Sequence, residues 1–324
     1  MSLQLRSYTP ADDHDWDAFC DNAIQATLLH LRRFLSYHRD RFYDLSLIIE
    51  DDGRWVGLFP AAVHPIDISC VVSHPGITYG GVLHHGSLRG EQMILALELI
   101  RQHYADQGYA KLIYKAVPTI YHQTPALDDS YAMFRMGASR IRCDLSSAID
   151  IQRRLPVSDR RRRSLKKAIN AGVEIVEGRH LLPELWEVLV ENLSRKHDLS
   201  PVHSLAEIAL LAERFPDNIR CVCGVQGGSV VAGALLFITP TCIHAQYIAS
   251  SETGYSFSAL DAVFEYCIDM ASKDDKRWFD FGVSTENAGL ILNDGLYRFK
   301  SEFGGGGVVH EFFEVNLQGL GHGA

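Results

Sequence analysis

The stretch IRCVCGVQGGSVVAGALLF (residues 219–237) reads as a β-hairpin, because two runs rich in Val, Leu and Ile flank Gln226-Gly227-Gly228, a turn built from residues that tolerate positive φ. A second stretch, LSLIIEDDGRWVGLFPA (residues 45–61), turns in the same way at Asp51-Asp52-Gly53. Outward from these two hairpins the chain repeats one order of elements. Leu3 and Leu5 alternate with polar residues as a strand, and the acidic segment Asp12–Asn22 around Trp16 follows as a helix. In the second half Val173 and Ile175 alternate likewise, and a helix over Leu182–Leu193 carries Trp186. The two Trp lie 170 residues apart. Further helices are expected at Leu28–Tyr37 and Leu205–Phe215. Beyond the hairpins, the amphipathic stretches Glu91–Asp106 and Phe257–Ser272 lead into strands at Lys111–Val117 and Trp278–Val283. Repetition at a near-constant offset is the mark of a duplicated unit.

Composition bounds what such a pair can be. The chain has 324 residues, 31 Lys plus Arg and 40 Asp plus Glu, a formal charge of −9. Length favours two domains, placed here at 1–150 and 151–324. An acidic chain is a poor bulk nucleic-acid binder, and no apolar run reaches the roughly 20 residues needed to span a bilayer. MSLQLRSYTPADDHDWD at the start lacks a secretory pattern, and seven Cys at irregular spacing, with no CxxC pair, suit a reducing compartment. A cytoplasmic location is the expectation. Neither GxGxxG nor GxxxxGK[ST] occurs, so the Rossmann and P-loop signatures are missing.

Near the C-terminus, Gly295-Leu-Tyr-Arg-Phe-Lys300-Ser-Glu-Phe303-Gly304 resembles the Phe-Lys-x-x-Phe-Gly signature of Fem-type aminoacyl and acyltransferases. Phe279-Asp280-Phe281-Gly282 is similar to the strand that precedes it in that clan, and Ser73-His74-Pro75-Gly76-Ile77-Thr78-Tyr79-Gly80-Gly81 resembles a substrate-facing loop. The element order, given twice, resembles a tandem GNAT-type fold: α+β, each half a mainly antiparallel sheet flanked by helices. The resemblance implies transfer of an acyl or aminoacyl group to an amine acceptor, such as an amino sugar or cell-envelope precursor. The first half would contribute to acceptor binding and the second would hold the donor. Acetyl-CoA is the expected co-substrate and aminoacyl-tRNA the alternative donor. The usual Arg/Gln-x-x-Gly-x-Gly/Ala turn is replaced here by Ser250-Ser-Glu-Thr-Gly254-Tyr-Ser256-Phe-Ser258-Ala259, so a ligand-binding module without catalysis is the competing reading. The resemblance places Lys300 near a phosphate or the transition state.

Direct acyl transfer needs a route for the amine's proton and donors aimed at the developing oxyanion. Gln246, Tyr247, Ile248 and Ala249 are the expected oxyanion segment, with Gly254, Ser256 and Ser258 offering backbone N–H groups to a phosphate. For the proton, Glu286 comes first, and Glu302, His244 and His310 are the other candidates. Glu286 reads also, and by a small margin better, as a cap in Ser284-Thr285-Glu286-Asn287. Arg298 and Lys300, two apart, share one strand face by period two and would form a positive pair, and Gly304–Gly307 reads as a flexible stretch or a loop. His38, Arg39, His74 and Tyr79 are candidate contacts for an acceptor. The run Arg160–Arg163 with Lys166 and Lys167, introduced by Ser158 or Asp159 and ended by Gly172, is either an anion contact or a solvated helix face. Cys221 and Cys223 read as core packing, and no metal site is expected.

Overall fold

The computed structural model describes residues 2–197 and 201–317. The chain divides into two compact units. One comprises the chain through Leu145, Thr285–Ile291 and the residues from Val309 on; the other comprises Ser146–Ser284 and Leu292–Val308.

The chain begins with β1 (Leu3–Ser7), α1 (Asp13–Cys20), α2 (Arg32–Leu35), β2 (Leu47–Asp51), β3 (Arg54–Phe59), β4 (Ala62–Val63), β5 (Cys70–Val72), β6 (Leu83–His84), α3 (Glu91–Asp106), β7 (Lys111–Lys115), α4 (Asp128–Arg135) and β8 (Ser139–Asp150). It continues with α5 (Asp159–Asn170), β9 (Glu174–Glu177), α6 (Leu182–His197), α7 (Leu205–Arg214), β10 (Ile219–Gln226), β11 (Ser229–Ile238), β12 (Cys242–Ser250), α8 (Glu252–Phe257), α9 (Ala259–Lys273), β13 (Trp278–Val283), β14 (Thr285–Glu286), β15 (Ile291–Leu292), α10 (Asp294–Ser301) and β16 (Gly306–Asn316). The class is α+β.

In the first unit one sheet has the order β1-β2-β3-β6 and another the order β4-β5-β7-β16. In the second unit the order is β8-β13-β12-β11-β10-β9. The pairs β1/β2, β2/β3, β10/β11 and β11/β12 are antiparallel, whereas each unit contains one parallel pair, β5 with β7 and β12 with β13. Both hairpins close through two central residues at positive φ, Asp52 (48°) with Gly53 (75°) and Gly227 (60°) with Gly228 (82°). Their backbone twist matches that of the flanking strands.

Helix periodicity supplies each core. Met93, Ala96, Leu97, Ile100 and Tyr104 of α3 are fully buried in the first unit, and Val263, Phe264, Cys267 and Ala271 of α9 are fully buried in the second. Each large apolar side chain so buried contributes about 1.5–3 kcal/mol. Trp16 is buried and donates Nε1–H to the His30 carbonyl (2.9 Å). Trp186 meets Tyr247 edge-on at 5.1 Å.

Three local readings change. Leu28–Tyr37 is not one helix. A 3₁₀ turn at Leu28–His30 stops, and α2 restarts where Asp17 accepts the N–H of Arg32 (2.5 Å) and of Arg33 (3.4 Å). Arg298 and Lys300 lie on a helix, not a strand. Asn293 Oδ1 accepts Leu296 N–H (3.1 Å) as its N-cap, and Phe299 and Phe303, four apart, pack on the α9 core. At about 100° per residue the two cations point to roughly opposite sides: Lys300 is buried and Arg298 exposed. Replacing Arg298 by Ala is expected to change stability by less than about 0.5 kcal/mol in urea titration, as for other exposed surface positions. Third, Gly304 is not part of a loose stretch. Its φ is +95° and a Cβ there would stand 2.2 Å from the Leu155 carbonyl oxygen, while Gly306 already belongs to β16.

The basic run forms α5, capped by Ser158 Oγ, which accepts Arg161 N–H (3.2 Å), and followed by Gly172 at φ +71°. Arg161 is buried, bound to Asp261 (2.8 Å) and Glu302 (3.2 Å) and set over the rings of Phe299 and Phe303. Arg160, Arg163, Lys166 and Lys167 are exposed. One residue of the run is thus structural, and these four are open to solvent.

Candidate functional site

In the second unit two parallel strands separate. β12 and β13 pair through Cys242–Trp278, Ile243–Phe279 and His244–Asp280, and the register ends there. β12 continues to Ser250 against β11, with a bulge that leaves Gln246 outside the register. β13 turns at Gly282, whose φ of +78° is available to glycine without strain. Beyond His244 the β13-facing backbone edge of β12 therefore enters no strand ladder. Such a fork presents main-chain groups to a ligand without disrupting the sheet.

Chemistry gathers at the point of separation. Asp280 is fully buried. Its Oδ1 accepts from Ser146 Oγ–H and from Gly282 N–H (3.1 Å), and its Oδ2 accepts from His244 Nδ1–H (2.7 Å). A carboxylate so held fixes the imidazole tautomer with the proton on Nδ1 and the lone pair on Nε2. The His244 side chain is 15% exposed, so it is oriented from below and still reached from outside. This is the geometry of a general base with its orienting acid.

Lys300 comes from α10 to the end of β13. Its Nζ donates to the carbonyls of Gly282 (2.8 Å) and Val283 (2.7 Å) and its side chain is buried. Burial pushes its ammonium down to about 8, against the opposing pull of Asp280. It does not stand on an exposed strand edge; it pins the two residues where β13 leaves the ladder.

Gln246, Tyr247, Ile248 and Ala249 follow the fork on β12. Tyr247 faces Trp186, and its hydroxyl lies 2.6 Å from His203 Nδ1. Gly254 lies in α8, where its N–H already donates to the cap Ser251 Oγ (3.1 Å) and a Cβ would meet the Val231 carbonyl oxygen at 2.1 Å. Gly254→Ala is accordingly expected to destabilise by about 1–3 kcal/mol through overpacking, read as a lower urea midpoint. Ser256 is exposed, donating Oγ–H to the Thr253 carbonyl (2.8 Å), and Ser258 adopts φ +60° between α8 and α9. Glu302 shares the second unit with Lys300, where its carboxylate is engaged by Arg161. Glu286 belongs to the first unit, exposed on β14.

In the first unit the structure gathers His38, Arg39 and His74 on one cavity of about 140 Å³, which Tyr8, Arg32, Phe42 and Asp44 also line. His38 and His74 are buried with ring centroids 5.3 Å apart, and burial holds the His74 imidazole well below its usual range. Arg39 is exposed at φ +52°. Tyr79 is not in that wall; its hydroxyl donates to Thr27 Oγ1 (3.3 Å).

The first unit also repeats the parallel pair, Cys70–Lys111, Val71–Leu112 and Val72–Ile113. Val72 and Ile113 stand where the second unit has His244 and Asp280. Here the chain leaves β5 into Ser73–Val82 instead of continuing as a strand, and the loop is stitched to β7. Ser73 Oγ accepts Lys115 N–H (2.7 Å), Gly80 N–H donates to the Lys115 carbonyl (3.0 Å), and Lys115 Nζ donates to the carbonyls of His74 (3.0 Å) and Ile77. Sequence reasoning missed Asp280, Ser146 and Arg32 as polar groups of these two sites. The only signal was an Asp between two Phe in an otherwise apolar strand. Among the described residues no group of three or more His, Cys, Asp or Glu is placed to hold a metal ion, and no helix is long and apolar enough to cross a membrane.

With this geometry in hand, residues 154–301 match the family model described as Acetyltransferase (GNAT) domain. No curated protein matches in sequence. Among solved structures the chain is similar to FemX, with TM-score 0.68 and 12% identity over 97% of each chain. It is also similar to L-PGS from Bacillus licheniformis, with TM-score 0.63 and 14% identity over 94% of this chain and 91% of that one. A tandem GNAT protein from the clavulanic acid biosynthesis pathway gives TM-score 0.55 at 12% identity, over 98% and 99% of the two chains. At these identities the likeness is one of fold, a tandem arrangement of the GNAT type.

Proposed function

Residues 154–301 match the acetyltransferase (GNAT) domain model, and from that premise we propose that this acyltransferase moves an acyl group, acetyl from acetyl-CoA, to an amine acceptor such as an amino sugar or a cell-envelope precursor by direct attack. The observation that carries the reading is the His244–Asp280 pair at the strand fork, 2.7 Å apart. The donor's acyl carbonyl would lie along the unladdered edge of Gln246–Ala249, whose N–H groups would receive its oxygen as negative charge develops. The acceptor nitrogen attacks that carbonyl carbon, the carbon–sulfur bond breaks, and CoA leaves as the thiolate. His244 Nε2 takes the proton that the amine loses, and the imidazolium is held by Asp280 until the proton passes to the thiolate or to solvent. Lys300 acts as a positioning residue, because its contacts are the carbonyls that end β13.

An aminoacyl-tRNA donor is the second reading. It is favoured by the exposed cations Arg160, Arg163, Lys166 and Lys167 on α5, which suit a phosphate backbone, and by the prior use of Gly254 N–H as a cap contact. A thiol-release assay with acetyl-CoA and pooled amino sugars tests the first reading, with aminoacyl-tRNA in a parallel arm. Thiol release that depends on both substrates is the expected result. Transfer from tRNA alone selects the second reading, and transfer from neither donor sinks both.

A further inference from the structure

Arg32 is an anomaly in the first unit. It sits on α2 with its side chain 5% exposed, and its Nη1 donates to Asp44 Oδ2 (2.6 Å). Its guanidinium lies over the rings of Tyr8 (3.4 Å) and Trp16 (3.9 Å). The remaining edge, Nε with Nη2, is buried and has no hydrogen-bond partner. Those two N–H groups are coplanar and point the same way, the arrangement that binds a carboxylate through both oxygens. A buried donor pair left unmade is costly, so an edge kept whole points to a missing acceptor.

The surroundings narrow what that acceptor is. Arg32 forms part of the wall of the 140 Å³ cavity with His38, Arg39 and His74. It also lines a larger cavity of about 580 Å³, which shares Asp13 and Ser36 with the first and adds Asp17, Asp21, His14 and Arg33, the last paired with Asp17 (3.3 Å). The acids nearest Arg32 are already engaged: Asp44 Oδ1 accepts Ser46 N–H (2.8 Å), and Asp13 accepts the Tyr8 hydroxyl. Both ring nitrogens of His38 face carbonyl oxygens, of Leu35 and Gly76, at 3.0 Å. Carboxylates at Asp13 and Asp44 oppose a dianion such as phosphate, whose further oxygens would face them. The wider cavity sets three carboxylates, Asp13, Asp17 and Asp21, against the guanidiniums of Arg32 and Arg33, an excess of negative charge that suits a cation adjoining the bound anion.

We propose that the Arg32 cavity is a carboxylate subsite for a zwitterionic, amino-acid-like ligand, its carboxylate on the Nε and Nη2 edge and its ammonium toward the wider cavity. The inference concerns the first unit alone and goes beyond the acyl-transfer reading. Its test uses no acyl donor, so either claim can fail without the other.

The full chain, labelled with ¹⁵N in its arginines, is titrated separately with alanine, propionate, alaninamide and inorganic phosphate while the Nε–H signals are followed. Alanine and propionate are expected to shift one such signal saturably, alanine more tightly, while alaninamide and phosphate leave it in place. Arg32→Lys, checked for folding by circular dichroism, should lack that signal and weaken alanine binding at least about tenfold, because a point charge replaces the planar fork. Alaninamide binding as well as alanine, phosphate binding better than either, or an unchanged affinity in Arg32→Lys would overturn the proposal. Should the variant fail to fold, the wild-type titration decides alone: no saturable shift at tens of millimolar alanine rejects it.

Discussion

Replacing His244 by Ala is expected to lower kcat by about 10²–10⁴, the usual contribution of a positioned general base, while the thermal midpoint and the KM for donor change little. The argument is geometric. His244 alone would turn freely and carry its proton on either nitrogen, whereas Asp280 Oδ2, 2.7 Å from Nδ1, selects one tautomer and one ring orientation. Asp280→Asn should therefore approach the same loss with His244 still present, because an amide cannot stabilise the imidazolium that forms during transfer. The double variant should be scarcely worse than either single one, as befits two residues that act as a unit. Steady-state kinetics of the three variants beside Glu286→Gln make the comparison. Additive losses, or a larger loss in Glu286→Gln than in His244→Ala, would place the base elsewhere.

Lys300→Met is expected to cost about 10² in kcat, because loss of the ammonium frees the carbonyls of Gly282 and Val283 that end β13 and lets the fork shift by a fraction of an ångström. A stability signature separates this from unfolding. The ordinary value for Lys is 10.5, and burial brings Lys300 to about 8. Between those two values the unfolded chain holds a proton that the folded chain has released, so folding stability rises with pH across that window. Below about pH 8 both states are protonated and the burial cost is carried in full, about 3 kcal/mol for the gap between 10.5 and about 8. Lys300→Met should abolish this rise. Urea titrations of wild type and variant at pH 7, 9 and about 10.5 read the difference between the two curves, which cancels other groups that titrate there. Parallel curves would show that Lys300 keeps an ordinary proton affinity and is not confined as described.

Much of the architecture was legible because it rests on local pattern. Helix α3 follows the spacing of Met93, Leu97, Ile100 and Tyr104, and the hairpins follow the residues that tolerate positive φ at Asp52-Gly53 and Gly227-Gly228. Period two would put Arg298 and Lys300 on one strand face, yet the neighbouring Phe299 and Phe303 follow a helical repeat. Their spacing of four and the cap at Asn293 already favoured a helix. The site was less legible than the fold. His244 could be named as one of four proton acceptors, but Asp280 lies 36 residues further on and meets it only because two strands run parallel in one register. Nothing local encodes that register. Arg32 was invisible for a related reason: whether a guanidinium's partners are complete is settled by distant residues such as Asp44 and Trp16.

The Ser73–Val82 loop, held against β7 by Lys115, bears on stoichiometry. A chain made of two like units would at first sight carry two donor sites and release two equivalents of thiol in a single enzyme turnover. With its own backbone occupying the position of the fork in one unit, and Val72 and Ile113 in place of His244 and Asp280, the proposed chemistry would leave the molecule with one active site. A rapid-mixing burst should therefore have an amplitude of one thiol per chain. On that proposal the relieved copy, no longer bound to the demands of catalysis, would be the half of the molecule in which sequence can change without disturbing how the enzyme reacts.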